Sequence, residues 1–373
     1  MQRKLIIIFL MLFSFTCSFA ESHFLVLGLV YPYSQNKTNY EAANVSLSLL
    51  QNSVGDIKGV NICGISAVCK GKVRGFQGSF LYSQIDKDLS GVGFAVVNVV
   101  NDNVKGFQWG IGNLLGREFR GFQSSAVVNF VGGKFKGLQG STLFNLVGSD
   151  FIGLQLAGGC NVTGGNLNGA QLGSTFNFTG KKMNGLQWSG VNVSGEMDGC
   201  QIGYINISQR NEGCQIGIIN IGEEQNGIPV GLVNLSDDGE VRWQNYISNF
   251  AGFITAIKFE SNNFVSTLEV GGPNQEIDID ESVMIGFHYG YRIPGKWCNI
   301  EVDAGYFHVL YEPENEDKDI PNSLAVQLRL SGNVRLSDWL ELFGGIGITT
   351  MGDYENEQEA RNRLLYFAGI NLF

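Results

Sequence analysis

GCQIGYINISQRNEGCQIGIINIGEEQNG, residues 199–227, carries nearly the same nine residues twice. Gly199-Cys200-Gln201-Ile202-Gly203-Tyr204-Ile205-Asn206-Ile207 returns fourteen residues later as Gly213-Cys214-Gln215-Ile216-Gly217-Ile218-Ile219-Asn220-Ile221. A fixed internal period marks a repeat architecture, in which a unit buries its core only against its neighbours. Working outward, the anchor recurs at Gly59, Gly75, Gly91, Gly106, Gly121, Gly137, Gly153, Gly169, Gly185, Gly199, Gly213 and Gly227, at spacings of 14 to 16 residues. Gln stands two residues after most anchors, with Asn61, Gly93 and Pro229 as departures, and Asn stands seven or eight after them from Asn98 to Asn234.

Strand side chains alternate with period two, so the parity of the apolar positions constrains the shape. In the unit at Gly199 the apolar pair Cys200 and Ile202 is followed by Ile205 and Ile207, out of phase, and a further apolar column lies two before the anchors, as at Phe135, Phe151 and Met183. A chain that turns corners resets its phase at each, which predicts three short sides per unit and a β-solenoid of about twelve 14–16-residue coils, with the apolar slots buried between coils. Gln and Asn at fixed slots then form amide ladders, and Cys200 stacks on Cys214 as a small, inert hydrophobe. The matches to Asn-x-Ser/Thr at Asn177, Asn192, Asn206 and Asn234 read as ladder residues followed by a corner hydroxyl. The alternative is one large up-and-down barrel in which each unit is a strand and the resets are bulges.

After Asn234 the repeat gives way to long alternating strands, with candidates at 242–250, 252–260, 263–271, 282–293, 297–311, 324–337, 339–350 and 364–373. Leu324, Val326, Leu328 and Leu330 oppose Gln327, Arg329 and Ser331, and Ile300, Val302 and Tyr306 oppose Glu301 and Asp303. Tight turns at Pro294-Gly295-Lys296 and Ser337-Asp338 alternate with long, mostly acidic loops at 271–281, 312–323 and 351–363. That is the layout of an outer-membrane-type antiparallel β-barrel. The last strand ends on Phe373, although Gly369 and Asn371 interrupt its alternation. A soluble β-sandwich capping the solenoid is the alternative. An even barrel places both its ends on one side of the membrane, so the repeats would hang inside the envelope unless they join the barrel wall.

The N-terminus MQRKLIIIFLMLFSFTCSFAES has a basic start, an apolar run and small residues at Ser18 and Ala20, the layout of a secretory signal cleaved after Ala20. Cys17 raises a lipoprotein reading, but Thr16 is not the small residue that precedes a lipidated cysteine. No later apolar run reaches the ~18 residues of a membrane helix. The 373 residues include 51 Gly, about twice the usual share. A formal charge of −10 argues against nucleic acid as a partner.

Candidate chemistry is sparse. Of three histidines, His288 and His308 fall on neighbouring strands. Glu312, Glu314, Glu316, Asp317 and Asp319 offer hard oxygen ligands without the spacing of a calcium loop. Gly344-Gly345-Ile346-Gly347 lacks the following helix of a dinucleotide site. A sugar-cleaving solenoid needs carboxylates gathered on one side, whereas charges here scatter over corners such as Arg117, Glu118, Asp150, Lys181 and Glu223. Trp109 and Trp188 could stack on sugar, yet they fill slots that are apolar in other units. No catalytic, cofactor-binding or metal-binding residue is therefore assigned, and no enzyme activity is expected.

The Gly-φ-Gln-φ-Gly-φ-φ-Asn repeat (φ, apolar), preceded by LGLVYPYSQNKTNYEAANVSLSLL and followed by GIPVGLVNLSDDGE and a β-rich C-terminus, resembles the bacterial surface repeat-containing proteins first noticed in leptospires. The likeness spans nearly the whole chain after the signal and implies a bacterial envelope location but no reaction. The expected organisation is a signal peptide at 1–20, an N-terminal strand and cap at 21–58, solenoid repeats at 59–238 and a barrel-like domain at 239–373. The expected function is a non-enzymatic envelope or surface protein whose partners are outer-membrane lipid and a surface ligand or carbohydrate. The alternative is an exported soluble adhesin or carbohydrate binder.

Overall fold

A computed structural model describes residues 22–31, 42–272, 282–311, 323–353 and 361–373. The signal segment 1–20 and the acidic residues Glu312 to Asp319 lie outside them. Every regular element among the described residues is a strand. The chain forms two compact units, Met1–Gly195 and Glu196–Phe373. The strands make a parallel β-solenoid of about twelve turns and a closed eight-stranded antiparallel barrel. Both the single large barrel and the sandwich cap are thereby set aside.

In the first unit a typical coil supplies a seven-residue strand holding the anchor and a four-residue strand holding the Asn, such as Phe135–Ser141 and Phe144–Val147. Successive coils pair in register, with Gly137 opposite Gly153, Gln139 opposite Gln155 and Asn145 opposite Asn161. The segment read as a strand and cap contributes Ser22–Tyr31 and Ala42–Val54, which join the same parallel ladder. The anchor must be glycine for two reasons. Gly137 has φ +137°, in the left-handed region, and a Cβ there would lie 1.9 Å from the carbonyl oxygen of Gly121 one coil back.

The interior differs from the sequence expectation. Gln123, Gln139, Gln155, Asn129, Asn145 and Asn161 are all fully buried, whereas Phe122, Phe130, Phe144 and Ile152 are about two-fifths exposed. The amides point inward, and most of the columns read as buried apolar slots face out. One inward apolar column is the one two before each anchor, where the rings of Phe119, Phe135 and Phe151 stack at 4.9 and 5.0 Å, close to the strand spacing, and a second, two after the Asn slot, holds Leu115, Val131 and Val147. Nor does the phase reset at Gly137, since Phe135 and Gln139 point in on the same parity. The apparent reset compares an inward apolar column with an outward one.

Inside, two ladders run in opposite senses. Each Asn Nδ2 donates to the Asn Oδ1 of the following coil, at 2.8 Å from Asn113 to Asn129 and 2.9 Å from Asn129 to Asn145. From Gln123 to Gln187 the Gln Nε2 donates to the preceding coil, at 2.9 Å from Gln139 to Gln123 and 2.8 Å from Gln155 to Gln139. The second Asn proton goes to a backbone carbonyl, as from Asn145 to Leu156 at 2.6 Å. Buried amides are tolerated because partners repeat along the stack. Where a coil departs the ladder breaks, and Gln108 Nε2 has no partner because the preceding slot is Gly93. The hydroxyls after the Asn are not at corners: Thr179 is buried and donates to Gln171 Oε1 at 3.2 Å.

The second unit begins with coils of the 14-residue type, in which Cys200 lies opposite Cys214 and Asn206 Nδ2 donates to Asn220 at 2.9 Å. The barrel follows, with strands Glu240–Ser248, Ile254–Ser261, Phe264–Gly271, Ser282–Ile293, Asn299–Tyr311, Ser323–Ser337, Leu340–Asp353 and Arg361–Leu372. All eight lie within three residues of their expected bounds. The last strand closes on the first, with Leu372 opposite Trp243.

Candidate functional site

The barrel is polar within and apolar without. Ile285, Val302, Val326, Leu328 and Ile346 point outward and are about half exposed, while Arg292, Glu301, Asp303, Gln327 and Arg329 between them are buried. Alternation predicted two faces, and barrel closure assigns the charged one to the lumen. On the last strand Gly369 and Asn371 fall on the lumen side, so Leu364, Tyr366, Ala368, Ile370 and Leu372 keep an unbroken outer face. Exposed Trp243, Trp297 and Trp339 gather at the rim of the tight turns, while Tyr306 and Tyr366 are exposed at mid-strand; an aromatic girdle of the first kind is a feature of membrane barrels.

Side chains from opposite walls meet across the lumen. Lys258 Nζ donates to both Glu301 oxygens at 2.7 Å. Arg292 lies 3.4 Å from Glu301 and 3.3 Å from Glu341, and Arg242 lies 3.0 Å from Glu341. Arg329 Nε donates to Asp303 at 2.6 Å and its terminal nitrogen to Glu269 at 3.1 Å, while the Tyr246 hydroxyl donates to Glu269 at 2.8 Å. Buried charges persist only when paired in this way. Toward the other end Phe250, Ile254, Phe307, Phe343 and Phe367 form an apolar plug. The polar strand faces thus bond across the lumen to one another.

The last coil rests on the outer barrel wall, within the second unit. Asn234 Nδ2 ends its ladder on Ser266 Oγ at 3.0 Å, Ser236 and Ser261 hydroxyls pair at 2.9 Å, and Tyr289 OH donates to the Pro229 carbonyl at 2.9 Å. Ser261, Ser266 and Tyr289 are on the outward parity of their strands, opposite to Lys258, Glu269 and His288. The wall is polar where the coil covers it. Sequence reasoning named the wall joint only as a condition; Ser266 and Ser261, hydroxyls at outward positions, were the available signal.

The other sequence candidates disperse. His288 is buried in the lumen 3.3 Å from Glu269, whereas His308 points outward beside Ile285, so the two do not meet. Gly344 to Gly347 lie inside the strand Leu340–Asp353. Among the described residues no group of three or more His, Cys, Asp or Glu is placed to hold a metal. Cys63, Cys69, Cys160, Cys200, Cys214 and Cys298 are free thiols. Cys200 and Cys214 stack as expected but are half-buried on an outer side. Burial raises both thiols and pushes Cys69 up to about 12, so they stay protonated. Asn177, Asn192, Asn206 and Asn234 are buried within the ladders.

Trp109 and Trp188 are 40% and 59% exposed on the outer face of the coils. Between them the same slot is filled by Ser124, Gly140, Leu156 and Leu172, and the small residues open a groove of about 610 Å³ lined also by Ser141, Thr142 and Trp188. No protein-family model, no curated protein and no solved structure matches the chain.

Proposed function

We propose that the chain is a non-enzymatic bacterial envelope protein, held in the outer membrane by its C-terminal barrel, with a structural or binding role for the repeats. One observation carries this reading: a closed eight-stranded wall with apolar residues outside and paired charges inside. In water that arrangement exposes the apolar face and buries the charges, whereas in lipid both groups are placed favourably. Export through the N-terminal signal, an outer-membrane or cell-surface location and the resemblance to surface repeat proteins belong to the same reading. The lumen contacts favour an anchor over a channel, since the cross-lumen pairs occupy the space a channel needs. The test is fractionation of bacterial envelopes followed by a urea wash. The mature chain is expected in the outer-membrane pellet, released only by detergent; recovery in the wash, periplasm or medium refutes the anchor.

The groove beside Trp188 favours a second reading, an exported carbohydrate binder. An aromatic face flanked by hydroxyls suits a sugar ring, and glycan-array binding lost in Trp188→Ala supports it.

A further inference from the structure

A solenoid that lives in water hides apolar side chains between coils and shows polar ones. Here the sides carrying the Gln and Asn slots do the reverse. In the first unit the outward columns include the stacked pairs Phe94 with Trp109, 4.7 Å between centroids, and Phe107 with Phe122, at 5.3 Å. With Phe80, Phe130, Phe144 and Trp188 also exposed by two-fifths or more, these sides present on the order of 1,000 Å² of apolar surface, beyond the few hundred found on ordinary monomers. On the same strands the position before the anchor is basic: Arg74, Lys105, Arg120 and Lys136 are exposed there, and the turns leading into them carry coil-to-coil ion pairs such as Lys72 with Asp88 at 2.9 Å and Lys134 with Asp150 at 3.1 Å.

We propose that the apolar sides of the solenoid are a lipid-facing surface, bedded in one leaflet of a phospholipid bilayer with the bordering row of basic residues reaching toward headgroups and water. The inference rests on the barrel being membrane-spanning, and three observations choose lipid as the occupant. First, in the second unit the last coil is joined to the outward face of the barrel wall, through Ser261, Ser266 and Tyr289. These residues lie toward the rim that carries the exposed tryptophans, so that coil stands at the interfacial depth of the bilayer. Second, the backbone of the coils is hydrogen-bonded coil to coil and the amides are satisfied inside, so the polar groups left on these sides are few, chiefly hydroxyls such as Thr142 and Ser174. Third, a row of basic residues, Arg74, Lys105, Arg120 and Lys136, borders the apolar columns, which suits the anionic headgroups at an interface.

The five tryptophans provide the test, since Trp109 and Trp188 belong to the solenoid and Trp243, Trp297 and Trp339 to the barrel. Full-length W243F/W297F/W339F and W109F/W188F, each keeping its walls apolar, are reconstituted into phosphatidylethanolamine/phosphatidylglycerol vesicles with plain or acyl-brominated lipid. Both proteins are expected to lose most of their emission in brominated lipid. Quenching of the barrel set with Trp109 and Trp188 unquenched overturns the inference and leaves the anchor standing. Blue-shifted but unquenched emission from Trp109 and Trp188 also overturns it, because those sides are then covered by a second copy or another protein. An unquenched barrel set, by contrast, identifies failure of the anchor itself.

Discussion

Replacing Asn145 by Leu exchanges a buried amide for an apolar side chain of similar volume, so it tests the polar interior without opening a cavity. The amide Nδ2 donates to Asn161 Oδ1 at 2.9 Å and to the Leu156 carbonyl at 2.6 Å, and Oδ1 accepts from Asn129 at 2.9 Å. Three buried bonds at roughly 1 kcal/mol each are lost, and stranding Asn161 Oδ1 without this donor adds about 1–2 kcal/mol. Asn129 keeps its bond to the Gly140 carbonyl, at 2.7 Å, so its amide adds no second stranded group. Burying Leu returns about 2 kcal/mol. The net loss is about 2–3 kcal/mol, a roughly 30- to 150-fold rise in local opening. A chain of two units has no single unfolding transition. The assay is therefore amide hydrogen exchange of the full-length protein in detergent, read over Phe135–Ser141, Phe144–Val147 and Cys160–Thr163. Protection unchanged or increased in Asn145→Leu refutes the view that the amide ladder holds the coils in register.

Gly137→Ala places a methyl group 1.9 Å from the Gly121 carbonyl at φ +137° and is expected to disrupt its coil, whereas Gly140→Ala meets nothing within 4 Å and should shift stability by less than about 1 kcal/mol; hydrogen exchange over Phe135–Ser141 separates the two. Lys258→Met leaves Glu301 in the lumen with only the 3.4 Å Arg292 contact among its ion pairs, costing about 3–5 kcal/mol, while Lys258→Met with Glu301→Gln recovers most of it; the heat-induced mobility shift on electrophoresis reports the barrel. The Asn166 backbone N–H and the Lys134 ammonium hold the Asp150 carboxyl below its ordinary value of 3.8. Its contribution is therefore complete above that value and is lost as pH falls through the lower folded one. Coil stability in Asp150→Asn should consequently depend less on pH below 4. Cys298 is exposed, whereas the Cys69 thiol is buried and raised to about 12; maleimide should label Cys298 quickly and leave Cys69 unmodified until unfolding, as peptide mass mapping will show.

Much of the architecture is readable along the chain. The anchor spacing sets the coil length and the register in which Gly137 meets Gly153, because parallel stacking aligns equivalent positions. Alternation over 12 to 15 residues locates the long barrel strands. What alternation leaves open is which face is inside, because exchanging the two faces leaves a period of two unchanged. A signal was nevertheless present. The Gln and Asn slots hold nearly the same residue in coil after coil, while the slot after the anchor passes through Phe122, Leu138, Leu154, Ala170 and Cys200. An inward side chain must fit the identical one above and below it, and an outward one need not.

The sequence by itself determined the repeat, its register and the number of barrel strands, since these follow from spacing and residue type. Only the tertiary structure decided that the amides form the interior, that Lys258 reaches Glu301 across the lumen, and that Asn234 ends its ladder on Ser266. Those contacts join residues 43 and 32 positions apart on different strands. Whether a polar group is hidden or exposed depends on the partner that closure brings to it, and local sequence carries no record of that partner.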